Sequence, residues 1–389
     1  PMPRTTRHWR IPLALLAAAL FAATAACQQS PTTARGATAS VADPRVVLNT
    51  GPTGLVDWSA PLVLSVADGE LRSASVMDPL AYPVEGRLGD GHWTSTTELV
   101  PDTAYLVTAS VEDTASRART ISITAHTSKA TKLLRATHSP RGDRVVGVGL
   151  PAIITLSRSL TDASDRAAVV SRLRVETEPH VDGAWRWMND KELHYRPATY
   201  WAKGTQINVH SDLTALRLSH GVWGSGSVDT QFSVGSAVVA TVDVEKKAMT
   251  VVVDGKLIRT VKVSTGRDKY PTRGGVHLVL EKLKVQIMDS ATVGIPRKSP
   301  DGYYEEVPDS VRISYGGAFV HSASWSVRDQ GVRNVSHGCV NISPADARWF
   351  FELVKRGDVV NIVHAKAPPL LTDPGMSDWN VPFSEWPNS

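Results

Sequence analysis

From Val46 to about Val234 the chain is written in short runs that alternate apolar and polar residues, broken by Gly, Pro, Asp and Asn. Ala104-Tyr-Leu-Val-Thr-Ala-Ser-Val111, Thr120-Ile-Ser-Ile-Thr-Ala125 and Ile207-Asn-Val-His210 are examples. A period of two sends successive side chains to opposite faces, so each run buries one face and wets the other. That is the habit of antiparallel sheets. Asp165–Arg172 is a candidate helix among few interruptions. The stretch predicts two β-sandwiches, 46–128 and 129–235, of about 90–100 residues each.

A weak internal repeat supports the split. Trp93 is followed by Leu99 and then Thr103-Ala-Tyr105-Leu-Val107, and Trp187 is followed by Leu193 and then Thr205-Gln-Ile207-Asn-Val209. Both read as an aromatic strand, a turn and a Thr-x-apolar-x-Val strand. Trp93, Trp185 and Trp187 are expected to fill sandwich cores rather than form sugar-stacking platforms.

From Ala237 the pattern changes. Val238–Val244 and Met249–Val253 flank Glu245-Lys-Lys-Ala248 as a hairpin, and Asp254-Gly255 turns the chain into Leu257–Val263. Pro344–Arg356 reads as a helix, with Ser343 as N-cap, Pro344 at the first helical position and Gly357 as the stop. A strand, Asp358–Val363, closes this unit, taken as 236–366. In the tail, 367–389, Trp379, Phe383 and Trp386 are expected to dock back on the protein.

The N-terminus reads as an address. Arg4, Arg7 and Arg10 precede the apolar run Ile11–Ala26, the form of a secretory signal over 1–27. Thr24-Ala-Ala-Cys27 resembles a bacterial lipobox, which implies acylation of Cys27 and a membrane-anchored, exported protein on the outer face of the cytoplasmic membrane. Residues 28–45 are small and polar and read as a tether. Together with two sandwiches this gives a reach on the order of 100 Å. The charge, 42 Lys+Arg against 38 Asp+Glu, gives +4 with no basic stripe, which argues against a nucleic-acid partner.

The chain has 2 Cys. With Cys27 lipidated or removed, Cys339 is left as an unpaired thiol, a liability in an exported protein unless its reactivity is used. Its surroundings suit such use. Gly316-Gly-Ala-Phe-Val-His321-Ser322 is followed by Val335-Ser336-His337-Gly338-Cys339-Val340-Asn341. A thiol needs a base, and acyl transfer needs donors for an oxyanion. His321 ends an apolar strand-like run, and Gly338 lets consecutive N–H groups converge beside the Cys.

His321, its spacer and Ser-His-Gly-Cys-Val-Asn resemble the signature of the L,D-transpeptidase (YkuD-type) catalytic domain over about 237–365. Tyr270-Pro-Thr-Arg-Gly-Gly275 is similar to that family's strand-entry segment. The order of leader, two immunoglobulin-like modules, catalytic domain and aromatic tail is similar to mycobacterial members. The resemblance implies a mostly β protein, two immunoglobulin-like sandwiches ahead of a β-rich catalytic domain with a short helix. It implies Cys339 as nucleophile, His321 as base and the Ser322 carbonyl as the group orienting it. Backbone N–H groups of His337, Gly338 and Cys339 would form the oxyanion hole. Tyr303, Met288, Ser336 and Asn341 would contact substrate, and Trp325 would line the acceptor side. The implied reaction joins peptidoglycan stem peptides in 3→3 links with loss of D-Ala, needs no cofactor or metal, and is blocked by carbapenem β-lactams.

Three other readings stand beside this one. Water or a lysine as acceptor would make a carboxypeptidase or a protein–peptidoglycan attachment enzyme. Zinc on Cys339, His337 and His321 lacks the closed ligand set that structural zinc requires. A non-catalytic wall-binding lipoprotein would leave the Cys/His segment without a use.

Overall fold

The computed structural model describes residues 42–141 and 144–387, so the leader with Cys27 and most of the tether lie outside the described residues. The alternating runs form two sandwiches. In the first, Arg45–Leu48, Val63–Ala67, His92–Ser95 and Gly86–Gly89 lie side by side in that order. They face a sheet of Gly69–Met77, Ala104–Asp113 and Ala118–His126 across a core that includes Leu64, Leu71, Trp93, Tyr105 and Val107. The second sandwich repeats the order. Ala136–Ser139, Ala152–Leu156, Glu192–Pro197 and Gly183–Trp187 face Leu173–Glu178, Gln206–Asp212, Ser227–Val234 and Arg144–Val146.

This order corrects the tryptophan match. Trp93 lies on the strand equivalent to Glu192–Pro197, whereas Trp187 sits one strand earlier and pairs with Leu193. The Thr-x-apolar-x-Val strands do correspond. Trp93 and Trp187 are both buried in their respective cores, but from non-equivalent strands. The expected helix at Asp165–Arg172 spans Ala163–Val170, because Asp162 accepts hydrogen bonds from the Ser164 and Asp165 N–H groups and starts it earlier.

The C-terminal unit has two sheets. One has the order Lys256–Lys262, Ala248–Val253, Val238–Asp243, Val359–Val363, Gly275–Leu278, and holds the expected hairpin. The other runs Glu281–Asp289, Tyr304–Arg312, Phe319–Ser322, Val340–Ile342. Helix Pro344–Leu353 buries Ala347, Phe350 and Phe351 in the core that Val311, Val320, Val340 and Ile342 also enter. Ser343 caps it as expected, but it stops at Leu353, short of Arg356. Val354 turns extended and buries its side chain, and Gly357 serves the following turn at φ 90°.

The tail docks on the seam between the second sandwich and the C-terminal unit. Fully buried Trp386 donates its indole N–H to Ala184 O at 2.9 Å, and Trp379 donates to Gly149 O at 2.7 Å. The buried Arg196 guanidinium lies over both rings, 4.2 and 4.6 Å from their centroids. Asn380 brackets the Val276 backbone with two hydrogen bonds. Leu278 and Val359 of the C-terminal unit enter the core of the second sandwich, so the seam is a continuation of that core.

Buried His194 contacts Asp378 of the tail and Glu192. Burial alone would lower its pKa, but the two carboxylates overcome that and hold it at about 9. A folded-state value above the unfolded one gives stability that is complete below about 6.5 and is lost as pH rises through about 9. The melting temperature should therefore fall between pH 6.5 and 9.5, by on the order of 5 °C. His194→Gln should be less stable at pH 6 and should lose that slope; an unchanged slope would exclude this pair as its source.

Candidate active site

Two short parallel strands position the chemistry. Phe319–Ser322 and Val340–Ile342 pair with Val320 opposite Val340, His321 opposite Asn341 and Ser322 opposite Ile342. Val320 and Val340 point into the core. Alternation then turns His321, Asn341 and Cys339 to the other face. The turn before Cys339 is tied from several sides. Ser336 Oγ accepts from Gly338 N–H at 3.1 Å and donates to Cys339 O at 2.7 Å. Thr272 Oγ1 donates to Gly338 O at 2.9 Å and accepts from Gly266 N–H at 2.8 Å. Gly338 has φ 120°, a conformation a side chain would strain.

His321 is buried, and its Nδ1 donates to Ser322 O at 2.8 Å. That bond assigns the ring proton to Nδ1 and leaves Nε2 as the acceptor nitrogen. Cys339 is partly buried and its S–H points to Gly317 O at 3.7 Å. His321 and Cys339 line one cavity of about 290 Å³ with Met288, Tyr303, Trp325, Ser336, His337 and Asn341. Two more cavities, of about 330 and 350 Å³, meet it at Cys339 and Tyr303. Gly338 lines the first of these. Ser322 contributes its carbonyl rather than a cavity wall. Every predicted site residue in the described range thus comes to one place. A separate cavity of about 770 Å³ lies between the second sandwich and the C-terminal unit and shares no residue with these three.

Comparison with known proteins agrees with this arrangement. The family described as the YkuD L,D-transpeptidase catalytic domain matches residues 237–362, and that described as a bacterial Ig domain matches 54–217. L,D-transpeptidase 2 of Mycobacterium tuberculosis is 38% identical over 351 residues, 90% of this chain and 83% of the relative. The chain belongs to the L,D-transpeptidases. LD transpeptidase LdtMt1, solved in complex with imipenem, superposes with a TM-score of 0.51 at 33% identity, over 58% of this chain and 97% of that one. L,D-transpeptidase 3 of M. tuberculosis, solved with a faropenem-derived adduct, gives 0.50 at 32% over 58% and 96%. The chain is therefore an acyltransferase, and its two N-terminal sandwiches are immunoglobulin-like.

The electrostatics of this L,D-transpeptidase treat Cys339 and His321 differently. Burial pushes the Cys339 thiol up to about 11 and the His321 imidazole down to about 4. At neutral pH both groups are uncharged, a thiol and a neutral imidazole lining one cavity. Tyr303 is pushed up, first by burial and then by Cys339 as that thiol ionises at high pH, so its hydroxyl keeps its proton. Its neighbour Tyr304 is exposed and stacks with Arg297. His337 is held neutral, chiefly by burial and then by Arg267, whose guanidinium donates to its Nε2 at 2.9 Å. Its ring lies between Tyr270 and Tyr303, 4.9 and 4.8 Å away. The His337 side chain therefore joins two loops.

Some expectations change in detail. Gly338 N–H, expected to serve an oxyanion, is taken by Ser336 Oγ at rest. Ser336 and Asn341 line the cavity, yet their polar atoms also brace the protein, Asn341 Nδ2 donating to Ser326 Oγ at 3.1 Å. Trp325 is exposed at the mouth, its ring 6.0 Å from His321. Residues that motif reading does not reveal are Arg267 and Lys269, which together with Tyr270 of the strand-entry segment reach Asp301 in the 290–303 loop. Their signal is spatial, since loops far apart in sequence bring them together.

A neutral pair has a kinetic signature. Alkylation of Cys339 by iodoacetamide should rise steadily with pH from 7 towards 10, following the small thiolate fraction. A rate that is flat and fast from pH 6 to 8 would instead reveal a preformed thiolate–imidazolium pair.

Proposed function

We propose that Cys339 attacks the carbonyl between the third and fourth residues of a peptidoglycan tetrapeptide stem, as Sγ forms a bond to that carbon and its proton passes to His321 Nε2. The negative oxygen is met by the N–H groups of His337 and Cys339, with the Gly338 N–H freed from Ser336 as a further donor, and by the Tyr303 hydroxyl. Collapse expels D-Ala, whose amine takes the proton from His321, and leaves a thioester on Cys339. An amine from a neighbouring stem enters on the Trp325 side and takes the acyl group as a 3→3 link; the C–S bond breaks, and the proton that the amine gives to His321 returns to Sγ. One amide bond is broken and one is formed, so no oxidant, metal or cofactor enters the balance.

The observation that carries this reading is the neutral imidazole bonded through Nδ1 to Ser322 O, which leaves a basic nitrogen in the same cavity as a thiol. A β-lactam carbonyl would meet the same sulfur, so carbapenems are expected to acylate Cys339. The leader, with Cys27 acylated, would place the enzyme outside the cytoplasmic membrane, the two sandwiches holding the site towards the wall. Met288 and Tyr303 would hold the donor stem.

Incubation with a disaccharide-tetrapeptide and mass analysis tests the reaction. A dimer with loss of D-Ala is the expected product, reduced at least about 10³-fold in Cys339→Ala and in His321→Gln. Tripeptide alone would establish the carboxypeptidase instead. No turnover and no carbapenem adduct on a folded protein would leave only a wall-binding role.

A further inference from the structure

The tail that clasps the seam also reaches the active site. Asp373 precedes the short helix Pro374–Asn380 and is 5% exposed, although it carries a carboxylate. Its Oδ2 accepts from Ser314 Oγ at 2.7 Å and from Gly316 N–H at 2.9 Å. Its Oδ1 accepts from Gly375 N–H at 2.9 Å and from Tyr315 N–H at 3.4 Å. Three of these four donors belong to the turn Ser314–Gly317, which joins Tyr304–Arg312 to the His321 strand. A buried carboxylate with its acceptors so used is a strong local constraint, because removing them leaves donors unpaired in a dry place.

The same turn faces the nucleophile. Gly317 O accepts the Cys339 S–H. Gly316 and Gly317 line both cavities that flank the sulfur, and Leu370 of the tail walls one of them. Gly317 has φ 96°, a conformation that a residue with a side chain would adopt only under strain. From Asp373 the chain continues to Asp378 on His194 and Trp386 on Ala184, both contacts with the second sandwich. One tail segment therefore spans from the immunoglobulin-like module to the carbonyl beside the thiol.

We propose that Asp373 is a positioning residue for Cys339, acting through the Ser314–Gly317 turn. The inference rests on the reading of Cys339 as the nucleophile. It makes the C-terminal tail a part of the catalytic apparatus. The turn does two things that oppose each other in a test. Its carbonyl holds the thiol proton and so favours the neutral sulfur, and its backbone shapes the walls that align an acyl donor.

Loosening the turn should therefore split two reactions of one sulfur. In Asp373→Asn, an amide N–H₂ replaces one acceptor and opposes the Gly316 N–H or the Ser314 hydroxyl. Iodoacetamide alkylation at pH 7 should become at least threefold faster, with its pH profile moved to lower pH. Acylation by imipenem, followed by mass addition at Cys339, should become at least tenfold slower. Ser314→Ala, which removes one donor and leaves the carboxylate, should show the same split to a smaller degree and serves if Asp373→Asn does not fold. Acylation within twofold of wild type in both variants would overturn the proposal. So would a parallel fall of both rates, the mark of a merely destabilised protein. Wild-type protein that alkylates but forms no imipenem adduct would instead fail the underlying reading, and is told apart by that control.

Discussion

The parallel pairing of Phe319–Ser322 with Val340–Ile342 brings His321 into the same cavity as Cys339, and the surrounding structure serves to hold that register. Parallel strands cannot be joined by a tight turn and need a long crossover. Here the crossover carries Trp325, the bracing Ser326 and the turn from Ser336 to Cys339. Because side chains alternate, a slip of one residue would send Cys339 into the core and Val340 into the cavity. Helix Pro344–Leu353 opposes such a slip. It starts directly after the second strand, packs across Phe319–Ser322 and Tyr304–Arg312, and buries Phe350 and Phe351 in the core they share with Val340 and Ile342.

The rest of the fold closes around that register from both ends of the chain. Leu278 and Val359 run into the core of the second sandwich, and Arg196 is enclosed by rings of the tail. A buried guanidinium would be costly if alone; two backbone carbonyls accept from it and two indole faces cover it. The first sandwich is attached more lightly. Trp58 meets Trp223 edge-on at 5.6 Å, and Arg217 pairs with Glu98. The module beside the catalytic unit is thus built into it, and the outer one is appended.

What could be read from the residues follows from the range of the forces involved. Alternation reports burial one strand at a time, so the strands of both sandwiches and the hairpin at Val238–Val253 were legible. The Ser343 cap is a local bond and was legible too. The end of that helix was not, because Val354 leaves the helix to bury its side chain, a tertiary preference. The Trp93 and Trp187 match failed for a similar reason, since spacing along the chain does not say which strand of a sheet a ring occupies. Cys339 and His321 stood out through a dense motif. Arg267, Asp301 and Asp373 did not, because their partners lie on other loops and nothing nearby in sequence marks them.

Burial of the thiol also bears on the chemical durability of the enzyme. A sulfur with a pKa of about 11 is ionised at only about one part in 10⁴ at pH 7. Peroxides and other oxidants react through the anion, so this cysteine would convert slowly to sulfenic and higher acids. At rest the thiol proton is directed at Gly317 O, and burial keeps the sulfur in its neutral form. The burial that holds this thiol neutral at rest thus also shields it from oxidation.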